Sequence, residues 1–155
     1  MVWLENIISI ILAVALGGAI GLEREVRGKA AGLRTNILIC LGAAVFTIIS
    51  RQITDGLAAE VSPARIAAQI VTGVGFLGAG AIIRDRGGIH GLTSAATIWL
   101  VASIGMACGA QLYQLALVTT LLAIVVLIGL ARLEKPLQRF RKERKLQSTT
   151  DDHDN

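Results

Sequence analysis

The chain has 155 residues, 54% of them hydrophobic and 17% charged, with a formal net charge of +4. A soluble domain of this size would carry roughly a quarter charged residues spread along its length; here they bunch between long apolar runs, and no polar stretch is long enough to bury a core of its own. Aromatic residues, at 4%, are too few to line an aromatic cavity or stack nucleobases, and the basic residues flank apolar runs, so lipid headgroups and topology account for them better than nucleic acid does.

Five apolar runs approach the ~20 residues a helix needs to cross a hydrocarbon core. They are approximately Ile7–Leu22, Leu33–Ser50, Ile66–Ile83, Leu92–Cys108 and Leu112–Ala131. The expected fold is therefore all-α: an integral membrane protein of about five transmembrane helices. Residues 1–131 form one membrane domain, and residues 132–155 a basic tail.

The first run has no basic leader, carries Glu5, and is followed at once by Glu23-Arg24-Glu25, so it is expected to stay as a span rather than be cleaved. Gly17 and Gly21 have the GxxxG spacing of a helix contact face. Acidic residues contribute little to orientation, so Glu23 and Glu25 call for another reason to be here. Successive helical residues point about 100° apart, so the two cannot share a face. At most one looks into the bundle.

Arg34 and Asn36 open the second run, which also holds Cys40; Ser62-Pro63 precedes the third as N-cap and first helical residue. Asn36 and Gln69 are amides near the starts of the second and third runs, on opposite sides of the membrane; within hydrocarbon each needs a partner, and an interhelical hydrogen bond is the usual one. Gly73 to Gly78 spells GxGxxG, but it lies in mid-span with no strand before it. Close helix packing through Gly73, Gly75, Gly78 and Gly80 is the better reading than dinucleotide binding. Asp85 lies between Arg84 and Arg86. Thr93, Ser94 and Thr97 open the fourth run, where hydroxyls cap or bond back to the backbone. Gly105 and Gly109 repeat the GxxxG spacing, and Gly109-Ala110-Gln111 makes an uncharged tight turn into the fifth run. Cys40 and Cys108 read as inert buried thiols. In the tail, Pro136 with Leu133, Leu137 and Phe140 beneath many Arg and Lys describes a segment lying on an anionic leaflet; Ser148–Asn155 is expected to be disordered.

Of the 15 basic residues, thirteen fall after the first run, after the third run or in the tail, leaving Arg51 and Arg65 on the other side. The positive-inside rule makes the rich side cytoplasmic, N-terminus out and C-terminus in. The end of run one resembles that of run three, and run two opens like run four, which suggests a parallel repeat of two hairpins. A polar cluster is expected at the cytoplasmic ends, joining Glu23 or Glu25 with Arg34 and Asp85; separately solvated charges are the plain alternative. No nucleophile–base pair or histidine-based metal site appears, so no enzyme and no resident cofactor are expected.

Gly21-Leu22-Glu23-Arg24-Glu25, Ala31-Gly32-Leu33-Arg34-Thr35-Asn36, Arg65-Ile66-Ala67-Ala68-Gln69-Ile70-Val71, the Gly73–Gly80 run and Gly91-Leu92-Thr93-Ser94-Ala95-Ala96-Thr97-Ile98-Trp99 together resemble the MgtC/SapB family, over roughly residues 9–131. The resemblance implies a bacterial inner-membrane, multi-helix protein. It also implies links to growth at low magnesium, to survival in macrophages and to inhibition of the proton-translocating ATP synthase, with Mg2+ transport attached to the family name. Two departures stand out. Many members add a soluble C-terminal domain where this chain has a short basic tail, and some relatives read Asn-Thr where Thr93-Ser94 stands.

Two functions compete. One is a membrane regulator linked to magnesium homeostasis that acts by helix–helix contact with another membrane complex. The other is a small-ion transporter, as a homo-oligomer, with Glu23, Arg24, Glu25, Arg34, Asn36, Gln69, Asp85, Thr93 and Thr97 along its path.

Overall fold

The structure is a computed structural model and describes residues 2–54, 64–85 and 88–130. Five helices appear in it: α1 Val2–Val26, α2 Leu33–Thr54, α3 Ala64–Gly80, α4 Leu92–Gly109 and α5 Tyr113–Leu130. Between α3 and α4 lies an antiparallel pair of short strands, β1 Ile83–Asp85 and β2 Gly88–His90, with Ile83 opposite His90. The protein is an all-α membrane protein in which α1, α2, α4 and α5 are long and apolar enough to cross a bilayer. The chain divides into two compact units, Met1–Thr120 and Leu121–Asn155. The described part of the second, residues 121–130, is helical, with Leu121, Leu122, Val125, Val126 and Leu130 exposed.

The first unit is built around α2. The buried positions of α1 (Ser9, Ala13, Leu16, Gly17, Ile20, Gly21 and Arg24) recur at the three- and four-residue spacing of one helix face. Two of them are glycines set against α2. A Cβ on Gly17 would come within 2.7 Å of the Cys40 Cβ, and one on Gly21 within 2.9 Å of the Leu33 Cα. On the other side of α2, a Cβ on Gly105 would overlap the Cys40 carbonyl, and one on Gly109 would sit 2.5 Å from the Ala44 carbonyl. Glycine is required at these four positions because backbone meets backbone there. The pairings also fix direction. Gly17 and Gly21 descend α2 as α1 rises, so α1 and α2 are antiparallel; Gly105 and Gly109 climb from Cys40 to Ala44, so α2 and α4 are parallel.

Parallel α2 and α4 require the chain to return the height of the bundle between them, and α3 is the helix that makes this return. It is shorter than the third run read from sequence. Its 17 residues cover about 26 Å, and it stops at Gly80, not Ile83. Ile83 belongs to the strand pair instead, with Gly88 at a positive φ of 129° and Gly91 at 89°. The repeat suggested by sequence has its counterpart in the common direction of α2 and α4. The close-contact glycines are not shared between the two hairpins, however, so any repetition lies in topology rather than packing.

The turn from α4 to α5 is a Schellman motif: the Leu112 N–H bonds to the Ala107 carbonyl at 2.8 Å and the Gln111 N–H to the Cys108 carbonyl at 3.0 Å. Glycine usually takes the left-handed position; here it is Gln111, at φ 62°. The end of α1 uses the same device with Gly28 in that position, its N–H on the Glu25 carbonyl and the Lys29 N–H on the Arg24 carbonyl.

Candidate functional site

Helical periodicity carries the buried face of α1 one turn past Gly21, and the residue placed there is Arg24. It is 2% exposed. Its Nε lies 2.9 Å from Oε2 of Glu23, whose side chain is 8% exposed, and the other Glu23 oxygen meets Nε of Arg27 across one helical turn. Both contacts lack hydrogen-bond geometry, so Arg24 Nε and Nη1 and both Glu23 oxygens have no hydrogen-bond partner among the described residues. Buried charges are costly unless they face an opposite charge, and the Arg24–Glu23–Arg27 row supplies that pairing in a single turn.

Glu25 points the other way. Its Oε2 accepts the Leu33 N–H at 2.9 Å, capping the start of α2. Gly32 lies beside it, where an added Cβ would meet the Glu25 carboxylate, the movable end of a flexible side chain. The two carboxylates thus do separate work on separate faces. Asn36 completes this end of the bundle. Fully buried, it donates through Nδ2 to the Ala31 carbonyl at 2.9 Å and the Gly32 carbonyl at 2.8 Å, while Oδ1 has no partner among the described residues.

The cluster expected from sequence therefore needs correction. Glu23 joins Arg24 and Arg27, not Arg34; Arg34 is exposed and makes no ion pair among the described residues. The Asp85 and Arg86 side chains lie outside the described residues, as do Ser62-Pro63 and the tail. Thr97 is buried and bonds back to the Thr93 carbonyl at 2.7 Å, and Ser94 is buried beside it. The helix cap is Gly91, so no hydroxyl caps α4. Gln69 is exposed. Among the glycines, Gly78 lies 3.6 Å (measured from a built Cβ) from the Ala95 carbonyl, whereas Gly73, Gly75 and Gly80 meet nothing within 4 Å. The packing expected along the whole Gly73–Gly80 face reduces, within the chain, to Gly78.

Sequence reasoning missed a second polar assembly at the opposite end. Arg51 donates to the Gly109 carbonyl at 3.0 Å and to Gln111 Oε1 at 3.1 Å; Gln111 Nε2 in turn donates to Glu5 Oε2 at 2.9 Å. The Tyr113 hydroxyl donates to the Glu5 carbonyl and shares a 3.0 Å hydrogen bond with buried Ser9. One amide thus relays between a cation and a carboxylate from different helices. The available signal was a charge of each sign placed at one end of the bundle, Glu5 early in run one and Arg51 after run two.

Cys40 and Cys108 are free and buried. Among the described residues no three His, Cys, Asp or Glu side chains converge as metal ligands would.

Apolar helices, glycine-to-backbone contacts and polar groups gathered at the two ends define a multi-pass membrane protein. The family model for the MgtC family matches residues 10–136, and the chain belongs to that family. It is 49% identical over 127 residues to "Putative magnesium transporter YhiD" of Escherichia coli (strain K12), covering 79% of this chain and 59% of that protein. It is 47% identical over 114 residues to "Protein MgtC" of Brucella abortus (strain 2308), covering 74% and 46%, and 42% identical over 142 residues to "Protein MgtC" of Salmonella typhimurium (strain 14028s / SGSC 2262), covering 92% and 58%. The chain spans about half to three-fifths of the length of these relatives. No solved structure matches.

Proposed function

We propose that the chain is a bacterial inner-membrane regulator of magnesium homeostasis that works through helix–helix contacts rather than as a conduit. One observation carries this reading: α2 is pressed against α1 at Gly17 and Gly21 and against α4 at Gly105 and Gly109, backbone to backbone, which leaves no room for an ion path between them. The layer separating the two polar ends is apolar and buried, with Ala13, Ile20, Val101 and Ile104 among its members. The orientation that goes with it, from the distribution of basic residues, puts the Arg24–Asn36 end in the cytoplasm.

The test is flux into liposomes holding only the full chain and a magnesium-sensitive dye, paired with rescue of growth at low magnesium in cells lacking their own copy. Rescue without flux is the expected result. Flux that Glu23→Gln abolishes would overturn it. The second reading, transport, draws on the Escherichia coli relative's name and on the buried atoms of Glu23, Arg24 and Asn36 that make no hydrogen bond among the described residues. Under it those groups would form an inner gate, and any path would run between copies of the chain.

A further inference from the structure

Two amides lie inside the apolar runs. Asn36 finds its partners within the chain, on Ala31 and Gly32. Gln69 does not: it is exposed on α3 and makes no hydrogen bond among the described residues. Five residues into α3, it stands about 7.5 Å along the axis from the helix start and within the apolar stretch Ala67–Gly80.

Gln69 also borders an open groove of about 790 Å³ between α2 and α3, with Leu38, Gly42 and Phe46 on one wall and Gln69, Gly73 and Leu77 on the other. At its floor Ile70 and Val74 are buried in one cluster with Ala43 of α2 and Ile98 and Ala102 of α4, and Gly78 lies against Ala95 of α4. Gly42 and Gly73, one on each wall, have nothing within 4 Å. Beside these hollows the same face carries projections: Leu38 is 65% exposed, Phe46 58% and Phe76 82%.

We propose that a second copy of this chain docks here, α3 against α3 about a two-fold axis along the membrane normal, with the Gln69 carboxamides of the two copies hydrogen-bonded to each other. Symmetry and chemistry select this occupant. All copies insert with one orientation, so identical residues lie at identical depth, and across such an axis a residue near it meets itself. Arginine or glutamate would repel its counterpart, but a carboxamide is both donor and acceptor and pairs with its own kind. Lipid matches this less closely: acyl chains offer no hydrogen bond, ester and phosphate oxygens only accept, and the lipid groups that donate, an ethanolamine ammonium or a glycerol hydroxyl, belong to the headgroup surface. A face bearing both bare glycines and protruding Phe and Leu is likewise complementary to itself, hollow to knob, which is how membrane helices associate when hydrophobicity supplies no drive.

The proposal deepens the reading of the chain as a contact protein, yet the two can fail separately. A dimer that conducts Mg2+ would sink that reading and leave this one standing.

The experiment uses the full chain in phosphatidylethanolamine/phosphatidylglycerol liposomes at increasing lipid-to-protein ratio, with dimerisation read by energy transfer between differently labelled copies. Wild type should associate. Gly73→Leu should weaken association at least tenfold while leaving thermal unfolding of the solubilised chain unchanged, because no neighbour within the chain crowds that position. Gln69→Leu should weaken it about threefold or more. Gln69→Cys should form a covalent dimer under mild oxidant, and Trp99→Cys, exposed on α4, should not. A monomeric wild type would overturn the proposal, as would full association of Gly73→Leu or absence of a Gln69→Cys crosslink.

Discussion

At the residue scale, single side chains do the work of holding the two ends of the bundle. Asn36 fixes the connection between α1 and α2 by donating to two of its carbonyls from a fully buried position. At about 1 kcal/mol net per hydrogen bond, Asn36→Ala should cost roughly 1–2 kcal/mol and speed hydrogen exchange at residues 27–32 while sparing α4. Unchanged exchange there would show that the amide does not hold the loop. Gln111 combines a strained backbone with a useful side chain, sitting in the left-handed region while bridging Arg51 and Glu5. Gln111→Gly and Gln111→Ala both lose the bridge, but only glycine relieves the backbone. The glycine variant should therefore be the more stable of the two by about 1 kcal/mol in chemical unfolding. Equal stabilities would mean that the turn relaxes when the side chain goes.

At the scale of elements, the glycines divide by what they face. Leucine at Gly105 must push against the Cys40 carbonyl, and neither backbone can give without parting α2 from α4. Overpacking of this kind costs about 1–3 kcal/mol, occasionally more, so Gly105→Leu should lower the melting temperature sharply in detergent. Gly75→Leu, pointing into open space, should leave it nearly unchanged. Equal effects would mean that the contacts described for α2 and α4 are wrong. The sequence made part of this visible. Gly17/Gly21 and Gly105/Gly109 carry a spacing that itself produces a contact face, so their role could be read in advance. The Gly73–Gly80 run is dense enough in glycine to put one on every side of the helix, and density does not say which side has a neighbour. The end of α3 was hidden for another reason. Ile82 and Ile83 extend the apolar pattern, and only the pairing of Ile83 with His90 shows that the chain has left the helix. The Glu23–Arg24–Arg27 row was hidden because the sequence marks the charges without their angular positions, and Arg24 points inward only because it continues the face of Gly17, Ile20 and Gly21.

On the scale of the whole molecule, topology is the property that most constrains function, and the structure narrows what an experiment can find. Because α2 and α4 run parallel, the residues just before Leu33 and those just before Leu92 must lie at the same end of the bundle, whichever side of the membrane that is. The start of α1, the end of α2 and Gln111 then share the opposite end, where Glu5, Arg51 and Gln111 are hydrogen-bonded together. Basic-residue counting adds only an expected sign: read from sequence, thirteen of 15 fall on the side of the α1–α2 connection, which by the positive-inside rule is expected to face the cytoplasm. Reporter fusions after Lys29, Gln52, Arg86, Gln111 and Arg144 should accordingly read in, out, in, out, in. Two distinct failures are informative. A complete reversal would keep the fold and refute the charge rule for this chain. Disagreement between Lys29 and Arg86, or between Gln52 and Gln111, would refute the parallel packing of α2 and α4, and with it the return of the chain through α3 on which the α3 dimer depends.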